Sequence, residues 1–134
     1  MRIAHVALWT HDLERCKRFY ASYFGAIAGL NYVNAAKGFE SCFLSFSDGA
    51  RLEAMKTTSV SLFAPPPGTQ PFGLAHLAIS VGSEELVDAL TERLKNNGVR
   101  IVDGPRRTGD GYYEAVILDP DGNRIEICAA QNDT

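Results

Sequence analysis

The sequence of 134 residues lacks the features that would assign it to several specialised classes of protein. It has no apolar run approaching the roughly 20 residues of a membrane helix, and no charged start followed by a long apolar segment. Its formal net charge of -3 offers no broad basic face to nucleic acid or anionic lipid. We therefore expect a soluble, cytoplasmic protein whose partners include neither nucleic acid nor a membrane.

Cysteine is also scarce. The three cysteines, Cys16, Cys42 and Cys128, are odd in number and far apart, which fits reduced core thiols better than a disulfide framework. No serine or cysteine lies in a nucleophile motif, and the Gly-Asp-Gly segment around Asp110 is typical of a turn rather than of a phosphate-binding loop. The sequence thus disfavours covalent catalysis.

What the chain does contain is an internal repeat. Each half begins with a strand-like segment holding one histidine, His5 or His76, followed by a polar break, an amphipathic helix and further strand-like runs. The Asp-Gly pairs in "SFSDGARLEAM" and "LDPDGNRIEIC" are hairpin signals between alternating segments. We predict an α+β fold in which two tandem βαβββ modules form a cupped mixed sheet with the helices on its outer face.

The repeat also sets the predicted boundaries. A single domain spans residues 1–134, with module 1 at about 1–60, a linker at about 61–72 and module 2 at about 73–130. The linker carries four of the six prolines, which favours an extended, stiff connection. We predict that Thr10 or His11 caps the first helix, which ends at Gly25, and that Ser83 caps the second, which ends at Gly98.

Strand alternation places four polar side chains on equivalent faces. Successive residues of a strand point to opposite faces, so His5, Glu53, His76 and Glu126 all lie opposite apolar residues. If the apolar faces pack against the helices, two imidazoles and two carboxylates converge on the other surface. The residues predicted to face the helices include Val6, Leu8, Leu52, Ala54, Leu77, Ile79, Ile125 and Ile127.

Two carboxylates on a half-buried surface repel each other unless a cation or a shared proton intervenes. Two nitrogen and two oxygen donors suit one divalent ion of Zn, Ni, Co, Mn or Fe, and an octahedron would keep two positions open for water or substrate. Structural histidines, and ion pairs from Arg51 to Glu53 and from Arg124 to Glu126, are the alternative interpretation.

At these residues the chain resembles the vicinal oxygen chelate superfamily, the group of glyoxalases, bleomycin-resistance proteins and extradiol dioxygenases. The resemblance covers roughly residues 1 to 130. In that family paired βαβββ modules surround a divalent metal, with ligands on the first and last strand of each module. His5, Glu53, His76 and Glu126 match the His, Glu, His, Glu set of the glyoxalase I branch.

The resemblance implies a divalent-metal-dependent lyase or isomerase acting on a small oxygenated substrate. In such an enzyme the metal stabilises an enediolate and a glutamate moves the proton; the family pattern makes Glu126 the base and Glu53 its catalytic partner. It also implies a homodimer, whose metal sites lie within one chain or are shared between two. Two alternatives stay open: a ring-cleaving extradiol-type dioxygenase, for which Glu53 is surplus, and an antibiotic-binding resistance protein.

The chain departs from the family at Trp9. The bacterial type of glyoxalase I has an arginine four positions after its first histidine, which grips glutathione, so we expect a smaller or less anionic ligand here. Trp9 shares the face of His5 and is predicted to contact substrate, or else to be a core or interface aromatic. Arg106 and Tyr113 are further predicted substrate contacts, with a solvated hairpin rim as the alternative.

Overall fold

The computed structural model describes residues 1–61 and 69–131 and divides the chain into two units, Met1–Ala64 and Pro65–Thr134. Residues 62–68 of the predicted linker lie outside the described residues, so the linker and module boundaries stay predictions. Each unit combines one long helix with one mixed sheet, which confirms the predicted α+β class. No helix in the described ranges is long and apolar enough to span a membrane.

The first unit builds its sheet around a parallel pair. Its elements are β1 (His5–Trp9), α1 (Leu13–Phe24), β2 (Ile27–Ala28), β3 (Tyr32–Asn34), a 3-10 turn (Ala35–Lys37), β4 (Phe39–Ser45) and β5 (Arg51–Thr57). The strand order is β1-β5-β4-β2, and β3 also pairs with β4. Only the β1–β5 pair is parallel, because α1 carries the chain back across the sheet.

The second unit repeats this plan without the extra short strand. Its elements are β6 (Leu77–Gly82), α2 (Glu84–Asn96), β7 (Ile101–Arg107), β8 (Tyr113–Leu118) and β9 (Arg124–Ala129). The order is β6-β9-β8-β7, with β6 and β9 parallel and the other pairs antiparallel. His76, predicted within the first strand of this unit, instead lies one residue before β6.

The helix ends follow capping chemistry, with one correction at the start of α1 and one at the end of α2, where Asn97 is the C-cap instead of the predicted Gly98. Asp12 is the N-cap of α1, and its carboxylate accepts the Arg15 backbone N–H at 2.9 Å, so the prediction of Thr10 or His11 is wrong. Asp12 directly precedes the first helical residue, which places its short side chain within reach of that N–H. Gly25 ends α1 with a φ of 65°, as predicted. Ser83 is confirmed as the N-cap of α2 by its bond to the Leu86 N–H.

One face of each sheet is buried beneath the helix of its own unit. Leu52 and Ala54 of β5 are buried, as are Ile125 and Ile127 of β9, whereas the residues between them, Glu53 and Glu126, keep a small exposed fraction. Helix α1 contacts β4 and β5, and α2 contacts β7, β8 and β9. The predicted alternation of the two glutamate-bearing strands is therefore confirmed. All three cysteines are buried, and none of them forms a disulfide.

Candidate metal centre

The first unit brings His5 and Glu53 together on the sheet face away from α1. Residues in register on paired strands share a face, and Ala7, two positions after His5, is in register with Glu53. The His5 Nε2 atom lies 3.6 Å from Glu53 Oε2. The His5 side chain is 41% exposed and that of Glu53 17%, so the imidazole is accessible while the carboxylate is held close to the sheet.

The second unit repeats this pair with a shorter separation. Ala78, two positions after His76, is in register with Glu126, as Ala7 is with Glu53. His76 Nε2 lies 3.1 Å from Glu126 Oε2, and the two side chains are 44% and 15% exposed. Each half of the chain thus presents one accessible imidazole beside one largely buried carboxylate.

The spacing within each pair fits two neighbouring ligands of a divalent ion. Metal–donor bonds of about 2.1 Å place adjacent donors about 3.0 to 3.4 Å apart in octahedral or tetrahedral geometry. The second pair falls in this range and the first is slightly longer. Within the described residues no three His, Cys, Asp or Glu side chains group closely enough to hold an ion, so convergence of the four predicted ligands on one ion stays a prediction.

The arginines two positions before the glutamates were the predicted competitors for those carboxylates. Arg51 places its guanidinium carbon 4.1 Å from the centre of the Phe43 ring, in a cation–π contact. The carboxylate of Glu53 lies within 4.0 Å of the His5 imidazole, and that of Glu126 within 4.0 Å of the His76 imidazole. The His–Glu pairing is therefore the feature common to both units, with or without an ion.

A third carboxylate, which the sequence interpretation missed, adjoins the second pair. Glu114 of β8 hydrogen-bonds to Glu126. Burial raises the pKa of Glu114, the hydrogen bond and negative charge of Glu126 raise it further, and the positive charge of Arg106 opposes them. The face on which Glu114 lies was detectable from the sequence, because Glu114 alternates with Ala115 and Ile117, which are buried on the helix side.

The predicted substrate contacts occupy different surroundings. Trp9 is 44% exposed, and its ring meets Phe39 edge-on at 6.3 Å. Arg106 forms an ion pair with Asp103 at 2.7 Å, while remaining in register with Glu114.

Tyr113 lies two positions before Ala115 on β8, so both residues lie on the helix side of the sheet, where Ala115 is buried. Its hydroxyl donates to Asp88 of α2 at 2.7 Å, and this bond raises the pKa of Tyr113. A substrate-binding role for Trp9, Arg106 or Tyr113 stays a prediction.

Comparison with known proteins gives one family for nearly the whole chain. The family model described as Glyoxalase/Bleomycin resistance protein/Dioxygenase superfamily matches residues 2–127. The uncharacterized protein YqjT of Bacillus subtilis is 29% identical, over 93% of this chain and 96% of that protein.

Two solved structures show the same fold. A glyoxylase/bleomycin resistance protein/dioxygenase domain from Frankia sp. EAN1pec superposes with a TM-score of 0.79 at 20% identity, covering 98% of both chains. The trypanothione-dependent glyoxalase I of Leishmania major gives a TM-score of 0.75 at 22% identity, over 96% of this chain and 86% of that one.

Proposed function

Because the chain belongs to the Glyoxalase/Bleomycin resistance protein/Dioxygenase superfamily, we propose that it is a divalent-metal-dependent lyase or isomerase of the glyoxalase type. It moves a proton between neighbouring carbons of a small oxygenated substrate. The observation that carries the proposal is the duplicated His–Glu pair, at 3.6 Å in one unit and 3.1 Å in the other.

In this proposal His5, Glu53, His76 and Glu126 hold one divalent ion, whose donor set of two nitrogens and two oxygens suits Zn, Ni, Co, Mn or Fe. When bound, the ion supplies Lewis acidity, which lowers the cost of negative charge on the substrate oxygens. The protein's own part is to present the two pairs, to hold both carboxylates close to the sheet and to carry the proton.

Glu126 is the proposed base. It takes the proton from the carbon that bears the hydroxyl and returns it to the neighbouring carbon, while the hydroxyl proton passes to the neighbouring oxygen; one C–H and one O–H bond break, one of each forms, and the substrate undergoes no net oxidation. Glu53, the equivalent residue of the first unit, is its partner and the alternative acceptor. Glu126 is 85% shielded from solvent, which favours proton return to the substrate over exchange with water.

We propose further that the active form is a homodimer with two metal sites. Each site either lies within one chain or takes its ligands from both chains. Mixing His5→Ala chains with Glu126→Gln chains tests the shared arrangement. If ligands come from both chains, the mixture regains part of the metal binding that each variant lacks. If no ratio of the two regains binding, the sites lie within single chains.

The activity is tested with the hemithioacetal of methylglyoxal and a small thiol, in protein loaded separately with Zn²⁺, Ni²⁺ and Mn²⁺. We expect conversion to the 2-hydroxyacyl thioester, and at least about a hundredfold loss in Glu126→Gln, since a positioned general base contributes about 10²- to 10⁴-fold. The matched control is Glu92→Gln, an exposed glutamate of α2.

Wild-type protein that binds metal stoichiometrically but converts no hemithioacetal, with or without glutathione as the thiol, contradicts the isomerase proposal. Oxygen uptake with a catechol under the same conditions would instead assign the dioxygenase chemistry.

A further inference from the structure

The sheet face that carries His5 and Glu53 also carries a row of aromatic side chains. Phe43 is in register with Glu53, and Trp9 lies four positions after His5 on the same strand. Phe39 lies four positions before Phe43, so the even spacing keeps it on this face. Tyr32, in register with Ser41 between those two phenylalanines, extends the row to a fourth ring.

Ring contacts connect this aromatic row to the metal-binding pair. The His5 imidazole meets Phe43 edge-on at 5.3 Å. Trp9 meets Phe39 at 6.3 Å with an interplanar angle of 89°, and Tyr32 meets Phe39 at 6.2 Å. An edge-to-face contact covers at most one face of a ring and leaves the other able to accept a further aromatic partner.

The aromatic row is not part of the core of its unit. Trp9 and Tyr32 are 44% and 58% exposed, whereas Phe19 and Tyr20 of α1, which do belong to the core, are 7% and 0% exposed. Large exposed apolar side chains beside a few polar side chains are typical of a binding surface. The row therefore has surface to offer to a ligand.

The corresponding face of the second unit is different. Val116 is in register with Glu126 as Phe43 is with Glu53, and Ser80 follows His76 by the same four positions as Trp9 follows His5. The duplicated scaffold thus keeps the His–Glu pair in both halves but has the tryptophan and the phenylalanine beside that pair only in the first. Tyr112 precedes Val116 by the same four positions as Phe39 precedes Phe43, so the difference between the two faces lies at Trp9 and Phe43. This difference supports a ligand-binding role for the first face.

The charge on this face restricts the ligand further. Arg51, in register with His5, is exposed and stacks on Phe43. It is a cation close to the imidazole, and it complements a carboxylate or a partly negative oxygen on the ligand. Aromatic surface, a metal-binding pair and one arginine then lie side by side.

We propose that the substrate is an aryl compound with two adjacent oxygens, whose aromatic ring packs on Trp9 and Phe39 while its oxygens lie towards His5 and Glu53. The aryl 2-hydroxy acids and the hemithioacetals of aryl 2-oxoaldehydes belong to this class. The reaction that the two oxygens undergo rests on the proposed function, but the preference for an aryl group does not.

Trp9 makes the binding measurable, because it is the single tryptophan of the chain. The probes are mandelate, hexahydromandelate and lactate, which share the 2-hydroxy acid and differ in a phenyl, a cyclohexyl and a methyl group. Tryptophan fluorescence is titrated with each, with and without Zn²⁺. We expect mandelate to bind about tenfold more tightly than lactate and about threefold more tightly than hexahydromandelate, given the usual gain from an aromatic pair.

Two substitutions locate the preference. Phe39→Leu keeps the reporter Trp9 and is expected to lower the ratio of mandelate to lactate affinity at least about threefold. Phe72→Leu, a fully exposed phenylalanine outside the strands, is the matched control and leaves the ratio unchanged. The same ratio of affinities is measured by calorimetry in Trp9→Phe, which keeps an aromatic ring, and in Trp9→Ala, which does not.

The outcomes separate this inference from the proposed function. Equal affinities for the three acids, no detectable binding of mandelate, or a ratio unaffected by Phe39→Leu overturns the aryl preference, even if hemithioacetals are converted. An aryl preference that persists in a protein that converts no hemithioacetal supports the inference and removes the isomerase. If the phenylglyoxal hemithioacetal is converted no faster than the methylglyoxal hemithioacetal, and the three acids bind equally, the aryl preference is wrong and the isomerase proposal stands.

Discussion

The turn between β8 and β9, which precedes the strand of Glu126, depends on one buried carboxylate, and removing it tests what the hydrogen bonds of this turn contribute to stability. Asp119 is 5% exposed. Its Oδ1 accepts the backbone N–H groups of Asp121 at 2.9 Å and Asn123 at 2.8 Å, and its Oδ2 accepts the Asn123 side-chain amide at 2.9 Å. Asp119→Ala removes these three bonds. Asp119→Asn keeps the two bonds to Oδ1 but places its own NH₂ group opposite the NH₂ group of Asn123.

The expected loss is graded accordingly. Asp121 and Asn123 are half-buried, so water partly replaces the lost acceptor, and each bond contributes about 1 kcal/mol to the free energy of unfolding. We predict a loss of about 3 kcal/mol for Asp119→Ala and about 1 kcal/mol for Asp119→Asn, which corresponds to about 12 °C and 4 °C in apparent Tm for a chain of this size.

The assay is urea and thermal unfolding followed by circular dichroism. Asp48→Ala is the matched control, because this exposed aspartate of the other Asp-Gly turn accepts only the N–H of Gly49 among the bonds described and should change stability by less than about 0.5 kcal/mol. If Asp119→Asn destabilises as much as Asp119→Ala, or if both match the wild type, the hydrogen-bond account of this turn is wrong.

Two further predictions concern the helix cap and one strand glycine. The bond from the Arg15 backbone N–H holds the pKa of Asp12 below its ordinary value of 3.8. The stability that the Asp12 cap contributes is therefore present above pH 3.8 and is lost as the pH falls through the lowered pKa. Asp12→Asn caps without titrating, so its Tm in thermal melts should fall less than that of the wild type between neutral and acid pH. Gly104 has a φ of +78°, and an added Cβ would lie 2.5 Å from a backbone oxygen of β8. Gly104→Ala should cost at least about 2 kcal/mol in urea unfolding, whereas Gly109→Ala, with open space at its Cβ, should cost less than about 1 kcal/mol; equal losses would contradict this packing account.

Much of the candidate site followed from strand alternation alone. Glu53 and Glu126 each stand between apolar residues in a segment with strand-like period, and an Asp-Gly turn precedes each, so the face of each in its own sheet could be deduced without coordinates. The histidines came from the same repeat. The structure adds the parallel pairing of β1 with β5 and of β6 with β9, which brings each histidine next to its glutamate.

What the sequence did not show depends on contacts between distant segments. Glu114 became a neighbour of Glu126 only once the register of β8 against β9 was known, because alternation assigns a face but not a partner. The cap of α1 was misplaced by one or two residues, since Thr10, His11 and Asp12 all precede the helix and only the backbone angles distinguish the cap. The aromatic row likewise joins Trp9 of β1 to rings of β3 and β4, which lie beyond α1 in the sequence.

The central claim is that side chains from both halves of the chain bind one divalent ion, and metal stoichiometry tests it most directly. Protein freed of metal is titrated with Zn²⁺, Ni²⁺ and Mn²⁺ by calorimetry, followed by elemental analysis, in wild type, His5→Ala, His76→Ala and the control His11→Ala, an exposed histidine just before α1. We predict one ion per chain in wild type and His11→Ala, and at least about a tenfold weaker affinity in both His5→Ala and His76→Ala. Two independent ions per chain, or binding that survives either substitution unchanged, would contradict the account.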